Sequence, residues 1–139
     1  MSYLFDTNVI SEPRRKIPNA SVLGWLAGID FADVYLSALT IGEIKKGASK
    51  LPSGKQKVVL ENWLDRLRGE FADRILPVTE GTFLVWGKMI AAFEKKGIVR
   101  PALDSLLEAT ALEHDLILVT RNVRNFQGSA VTILNPWED

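Results

Sequence analysis

Short apolar blocks alternate with longer amphipathic blocks along the chain, and this pattern predicts strands that alternate with helices. The predicted strands cover residues 2–6, 33–37, 74–78, 116–120 and 130–134. Apolar residues at helical spacing predict the helices at residues 19–29, 39–50, 55–71, 79–96 and 103–114. Residues 11–18 contain two prolines and a basic cluster, which predicts a loop or a broken turn.

The strand segments are apolar throughout instead of alternating with polar residues, which is typical of strands buried on both faces. Together with the alternation of strands and helices, this predicts an α/β fold. We expect one three-layer α/β/α domain over residues 1–139, with a central parallel sheet of four to five strands. Pro77 cannot donate a ladder hydrogen bond, so the third strand should lie at an edge of the sheet.

Helix ends are also marked in the sequence. Asn19 or Ser21 can cap the first predicted helix, and Thr79 can cap the fourth. Gly97 follows the fourth helix at the position where a helix favours glycine.

Composition excludes several classes of protein. The 139 residues include no cysteine, which excludes disulfides, thiolate metal sites and a cysteine nucleophile. The single histidine, His114, excludes a histidine-rich zinc site. No apolar run is long enough for a membrane helix, and the N-terminus lacks the pattern of a secretory signal, so we predict a cytoplasmic protein without membrane contact.

Charge is balanced overall but uneven along the chain. Seventeen basic residues match seventeen acidic ones, which does not favour a wholly basic nucleic-acid binder. Residues 41–60 nevertheless hold five lysines against one acid, and Arg14, Arg15 and Lys16 form a second basic cluster. Such clusters can contact phosphates.

Three acidic residues from distant segments are predicted to meet at one edge of the sheet. Asp6 follows the first strand, Glu43 lies in the helix after the second, and Asp104 opens the helix that leads into the fourth. Ligands of such sheets bind outside the carboxyl ends of the strands. Structural roles are open for each: Asp6 and Asp104 could cap helices, and Glu43 could complete a capping box with Thr40 unless Ser37 is the cap.

If the three carboxylates converge, they repel one another unless a cation lies among them. Oxygen ligands without nitrogen or sulfur favour Mg²⁺, with Mn²⁺ as the other candidate.

Five segments carry a resemblance to a known family: LFDTNV at 4–9, LSALTIGEI at 36–44, PALD at 101–104, LVTRNVRNF at 118–126 and LNPW at 134–137. In this order and spacing, the chain resembles the PIN-domain superfamily, specifically VapC-type toxins of its FitB-like branch. The resemblance implies a Mg²⁺-dependent endoribonuclease that cuts RNA of the tRNA or rRNA class. It further implies a small cognate antitoxin, a homodimer, and catalytic and metal-binding roles for Asp6, Glu43 and Asp104.

One departure from the family pattern concerns a fourth acid after the fourth strand. The matching positions are Asn122 and Asn125, which offer no negative charge and place a second metal ion in doubt. The alternative function is therefore a catalytically weak PIN-fold module that binds RNA or a partner. Residues expected to contact the acids or the substrate are Thr7, Asn8, Thr120 and Asn122. Residues expected to contact the RNA backbone are Arg14, Arg15, Lys45 and Lys46.

The remaining polar and aromatic residues have mainly structural interpretations. His114 should lie at the end of a helix, and Glu108 is expected to be a solvated charge on the helix face that carries Asp104. The two helices at 55–71 and 79–96 are rich in large side chains, and we expect some of these to remain exposed as a dimer surface: Trp63, Phe83, Trp86 and Phe93.

Overall fold

A computed structural model of the chain describes residues 1–138, and its centre is a sheet of five parallel strands in the order β3-β2-β1-β4-β5. The strands are β1 Tyr3–Phe5, β2 Val34–Ser37, β3 Ile75–Leu76, β4 Ile117–Val119 and β5 Ile133–Leu134. The prediction of an α/β fold with a parallel sheet of four to five strands is confirmed, with five strands in residues 1–138. β3 lies at an edge of the sheet, as Pro77 predicts.

Six helices surround the sheet: α1 Thr7–Ser11, α2 Ala20–Ala27, α3 Ala38–Lys50, α4 Lys55–Glu70, α5 Glu80–Lys95 and α6 Ala102–Glu113. Residues 11–18, predicted as a loop or a broken turn, begin at the last residue of α1 and contain a 3-10 turn at Glu12–Arg14. Pro13 lies at the start of this turn, where its fixed φ suits a helical conformation.

Neighbouring residues of β1 enter opposite hydrophobic layers. Phe5 packs in a cluster with side chains from α1, α3 and α4, whereas Leu4 packs in a second cluster with side chains from α6. Because successive side chains of a strand point to opposite faces, the sheet is covered on both sides. This arrangement is the predicted three-layer architecture.

The helix caps follow the sequence signals. The Asn19 side chain accepts hydrogen bonds at the start of α2, and Thr79 forms a capping box with Thr82 at the start of α5. Gly97 has φ 73°, a left-handed conformation that favours glycine after a helix. Ser37 caps α3 by accepting from the Leu39 N–H, so Glu43 is not a capping-box residue.

The prediction that Glu108 is a solvated charge was wrong. Its side chain is fully buried and pairs with Arg100, whose side chain is 3% exposed. The reason is that α6 is buried on most of its circumference: Ser105 and every residue from Leu107 to Ala111 are buried. A helix enclosed in this way buries even its charged positions, and each buried charge then needs a partner.

The order of strands places a topological switch point between β1 and β4. From β1 the chain builds outward through β2 to β3, then returns to add β4 on the other side of β1. Open α/β sheets bind ligands at the carboxyl ends of strands at such a point. No helix within residues 1–138 is long and apolar enough to cross a membrane.

Candidate metal centre at the carboxyl edge of the sheet

Asp6 lies at the switch point, directly after β1, and its carboxylate is 7% exposed. One oxygen caps α1 by accepting from the Thr7 N–H at 2.7 Å. The other accepts from the Thr120 hydroxyl at 2.8 Å and from the Asn8 amide at 3.4 Å. Asp6 therefore is an N-cap, and three donors also fix its carboxylate in one orientation.

Glu43 reaches the same edge from the second turn of α3. Its Oε1 accepts from the Thr7 hydroxyl at 3.0 Å, so the residue next to Asp6 also holds Glu43. Beside it is an open groove of about 330 Å³, lined in part by Gly42, Lys46 and Leu103. Because Ser37 caps α3, Glu43 is not needed for capping, and its side chain is exposed at the site.

Asp104 is the third residue of α6, whose start faces the carboxyl edge. Its Oδ2 accepts from the Asn125 side-chain amide at 2.9 Å. Asn125 belongs to a 3-10 turn, Val123–Phe126, that follows β4. The N-cap position of α6 is Pro101, so Asp104 is not an N-cap; it lies in the first turn, where a negative charge interacts favourably with the helix dipole, and its carboxylate remains available.

The three carboxylates affect one another electrostatically. Partial desolvation raises the pKa of Glu43, and the negative charges of Asp6 and Asp104 add to that rise against the lowering effects of Thr7 and Lys46. Desolvation also raises the pKa of Asp104; the charges of Asp6 and Glu108 add to this, and the Asn125 hydrogen bond opposes it. Asp6, Glu43 and Asp104 lie at one edge of the sheet, where the negative charge of Asp6 disfavours ionisation of the other two carboxyl groups.

This repulsion predicts a stabilising effect of Asp104→Asn in metal-free protein. Because folding raises the Asp104 pKa, folded protein retains a proton that the unfolded chain releases, and the free energy of unfolding falls as pH rises through that range. We expect Asp104→Asn to raise the Tm in EDTA at pH 7 by roughly 2 °C, the shift given by about 0.5 kcal/mol.

At pH 4 this difference should shrink, since a growing fraction of the wild-type Asp104 carboxyl is protonated as the pH falls and no longer carries the charge that the variant lacks. Calorimetry at both pH values measures it, with Asp65→Asn on the exposed face of α4 as the control. A lower Tm for Asp104→Asn at pH 7 would show that repulsion is not the dominant effect.

The donor set fits a hard divalent cation held partly through water. All three side chains offer carboxylate oxygens, the ligands that Mg²⁺ and Mn²⁺ prefer. Within residues 1–138, no three acidic, histidine or cysteine side chains are arranged to hold an ion directly. Mg²⁺ commonly retains several waters and takes only one or two carboxylates, so both observations are compatible with one hydrated ion.

Of the four other residues predicted to contact the acids or the substrate, three hydrogen-bond to Asp6 or Glu43, and the fourth, Asn122, lies beside them. Thr7, Asn8 and Thr120 orient the acids, as described above. The Asn122 side chain is exposed, while its backbone N–H donates to the Thr120 hydroxyl at 3.0 Å. Asn8 also accepts from the Arg121 N–H at 3.3 Å, which joins the loop after β4 to the residues after β1.

The four predicted backbone-binding cations differ in their surroundings. The positive charge of Lys46 acts on Glu43. Lys45 pairs with Glu61, and Arg15 pairs with the buried Glu12. Arg14 stacks on Trp63, with 4.4 Å between the guanidinium carbon and the ring centroid. All four basic residues are exposed, and Lys46 is the one tied electrostatically to the acids.

The aromatic residues and His114 lie outside this cluster of contacts. Phe83 is 48% exposed and Trp86 donates to Ser105, whereas Phe93 is buried under the Arg100 guanidinium. His114 ends α6 and lies 3.3 Å from the Glu113 carboxylate.

Sequence reasoning missed two contributors to the site. Asn125 was considered only as a missing acid, whereas its amide is the hydrogen-bond donor that holds Asp104. Arg100 was not considered; it precedes the N-cap of α6 and lies outside the helix, so helical spacing gives no signal for its pairing with Glu108.

The family model described as "PIN domain" matches residues 3–128. Toxin FitB of Neisseria gonorrhoeae is 39% identical over 137 residues, covering 98% of this chain and 99% of that protein. The VapC ribonuclease Y4jK of Sinorhizobium fredii is 33% identical over 139 residues and 97% of each chain.

Among solved structures, the crystal structure of FitAcB from N. gonorrhoeae superimposes with a TM-score of 0.93 at 38% identity. The match covers 99% of both chains. The fold of this chain therefore agrees closely with that structure.

Proposed function

This chain belongs to the PIN-domain family, and from that premise we propose that it is a divalent-metal-dependent endoribonuclease acting as the toxin of a type II toxin–antitoxin module. The observation that supports the proposal is that Thr7 holds Asp6 and Glu43 together at the switch point, through its backbone N–H and its hydroxyl, and that the charge of Asp6 also acts on Asp104. A cation at that point would relieve the repulsion, and a phosphodiester is a substrate whose charge such a cation can neutralise.

The three acids would hold Mg²⁺, or Mn²⁺ in its place, in part through water. A bound ion of this kind supplies charge stabilisation for the phosphate and activation of water. The protein itself supplies orientation: Thr120 and Asn8 fix Asp6, Thr7 fixes Glu43, and Asn125 fixes Asp104. Water attacking the phosphorus in line would leave 5′-phosphate and 3′-hydroxyl ends on the RNA.

RNA of the tRNA or rRNA class would reach the acids along the basic residues nearby. Lys46 lines the groove beside Glu43 and is best placed to contact a backbone phosphate. Arg14, Arg15 and Lys45 are exposed on neighbouring elements and would extend the contact.

Two protein partners complete the proposal. FitB relatives are named toxins, and we propose that a small cognate antitoxin inhibits this chain by placing an arginine or lysine among the acids. We also propose a homodimer that uses exposed apolar residues of α5, including Phe83 and Leu84. The cytoplasm is the proposed compartment.

The test is a divalent-metal titration of cleavage on a defined set of tRNAs. We expect no cleavage in EDTA, saturable cleavage with Mg²⁺ or Mn²⁺, and 5′-phosphate products. A matched preparation of Asp6→Asn controls for contaminating nucleases. Cleavage that is unchanged in EDTA would contradict a metal-dependent mechanism.

Asn125→Asp is expected to tighten Mn²⁺ binding. The substitution removes the amide hydrogen bond to Asp104 and adds a negative charge beside the acids. Because a bound cation can hold both carboxylates in place of that hydrogen bond, we expect a net gain of roughly 1 kcal/mol or about 5-fold in Kd. Asn122→Asp is the matched control, because it adds the same charge at an exposed position. Within residues 1–138, the Asn122 side chain has no hydrogen bond to Asp6, Glu43 or Asp104. Calorimetric titration without RNA compares them, and equal affinities in both variants and wild type would place Asn125 outside the metal's reach.

The alternative function, a catalytically weak module that binds RNA or a partner, is favoured by the same asparagines. Asn122 and Asn125 provide no charge where the family often has an acid. The tRNA titration separates the two: saturable RNA binding with Mg²⁺ but without cleavage would support the binding module.

A further inference from the structure

The guanidinium group of Arg100 contacts three other parts of the structure: α6, α5 and the loop after the Val123–Phe126 turn. Its Nε and Nη2 donate to the two carboxylate oxygens of Glu108 at 2.9 and 3.3 Å. Nη2 also donates to the backbone carbonyl of Gln127 at 2.6 Å, and the group stacks on Phe93 with 4.2 Å between the guanidinium carbon and the ring centroid. Arg100 thereby ties α6 to α5 and to the loop after the Val123–Phe126 turn.

Two of these contacts, those with Glu108 and Gln127, lie close in sequence to the two residues of the Asp104–Asn125 hydrogen bond. Glu108 is one helical turn after Asp104 on α6, and Gln127 is two residues after Asn125. Arg100 links α6 to the segment just after the turn, and Phe126 of the turn packs in the cluster that contains Leu107 of α6. Both contacts therefore bear on the separation of α6 from the turn, on which the 2.9 Å hydrogen bond depends.

We propose that the buried Arg100–Glu108 pair is a positioning device that holds the Asn125 amide on Asp104 and so fixes the orientation of the third acid. Arg100 is a positioning residue, because its contacts are with Glu108, Gln127 and Phe93 and not with the acids of the site. The proposal deepens the proposed function and rests on it only for its effect on cleavage.

The geometry of the guanidinium explains why arginine is required. A planar fork can donate to both oxygens of Glu108 and to the Gln127 carbonyl at once. Lysine retains the charge but offers a single ammonium group on a flexible stem, so it cannot keep the same three contacts in the same directions. Arg100→Lys should therefore preserve the buried charge pair and weaken the hold on the loop.

Arg74 offers a matched control elsewhere in the fold. Its Nε donates to the Val34 carbonyl at 2.9 Å, and it stacks on Phe71 at 4.9 Å, so it too links elements through backbone and ring contacts. Arg74 precedes β3, at the amino ends of the parallel strands, opposite the acids. Arg74→Lys should affect packing without changing Asp104.

The experiment compares Arg100→Lys, Glu108→Gln and Arg74→Lys in the full-length, metal-free protein by NMR of the Asn125 side-chain amide. We expect the Asn125 protons in both pair variants to shift toward free-asparagine values and to exchange faster with water by about 10-fold. Mn²⁺ affinity, titrated without RNA, should fall about 10-fold in the same two variants, as for other residues that orient metal ligands. In cleavage assays kcat should fall and KM for RNA should remain unchanged.

Unchanged Asn125 resonances and unchanged Mn²⁺ affinity in Arg100→Lys and Glu108→Gln, with only a lower Tm, would overturn the proposal and leave the pair a stabilising one. The same would follow if Arg74→Lys changed both readouts equally. Wild-type protein that cleaves no RNA would instead contradict the proposed function, since the NMR comparison requires neither metal nor RNA.

Discussion

Asp6→Asn is expected to lower the rate of RNA cleavage by about 1,000-fold or more, equivalent to roughly 4 kcal/mol of transition-state stabilisation. The substitution removes the negative charge of the acid that lies closest to the switch point and acts on both other carboxylates. Asparagine is also a good N-cap and can still accept from the Thr7 N–H, but its NH2 group cannot accept from the Thr120 hydroxyl or the Asn8 amide. We therefore expect a small loss of stability beside the much larger loss of activity.

Single-turnover cleavage with saturating Mg²⁺ measures this effect, and thermal unfolding verifies the fold. Asp30→Asn is the matched control, because Asp30 is an exposed N-cap that accepts from the Ala32 N–H at 2.9 Å, ahead of β2. Glu43→Gln and Asp104→Asn should reduce cleavage similarly. Wild-type rates in any of the three would remove that residue from the catalytic set.

Arg100→Met is expected to destabilise the protein by about 3–5 kcal/mol, the cost of leaving one member of a buried ion pair without its partner. The side chains of Arg100 and Glu108 are 3% and 0% exposed, so water cannot replace the lost contacts. A loss of this size is a large part of the stability of an ordinary domain. Urea unfolding at pH 7 measures it.

The double variant Arg100→Met/Glu108→Leu gives the decisive comparison. Removing both charges avoids the isolated carboxylate, so the double variant should be more stable than Arg100→Met alone. If the single and double variants are equally unstable, the cost arises from lost packing around Arg100 and not from an unpaired charge.

The parts of the fold that follow from local chemistry were predictable from the sequence. Apolar runs gave the strands, Pro77 gave the edge, and Thr79 and Gly97 gave the ends of a helix. The placement of the three acids at one edge of the sheet was also predictable. The carboxyl ends of parallel strands lie at the same edge, and so does the start of a helix that leads back into the sheet.

Features that depend on packing between distant segments were not predictable in this way. Glu108 has the helical spacing of a surface charge, and only the enclosure of α6 by its neighbours makes it buried. The contact of Asn125 with Asp104 joins residues 21 positions apart through a turn that has no strong sequence signal. In both cases local sequence propensity gives no signal, and tertiary contacts determine the burial of Glu108 and the partner of Asn125.

The most direct test of the central claim is the position of a bound ion in crystals of this protein equilibrated with Mn²⁺, located by anomalous scattering. The account predicts one Mn²⁺ peak among the carboxylates of Asp6, Glu43 and Asp104, with water completing its coordination, and no such peak in crystals of Asp6→Asn. Saturating Mn²⁺ that gives no peak at these carboxylates, in protein that cleaves RNA under the same conditions, would contradict it.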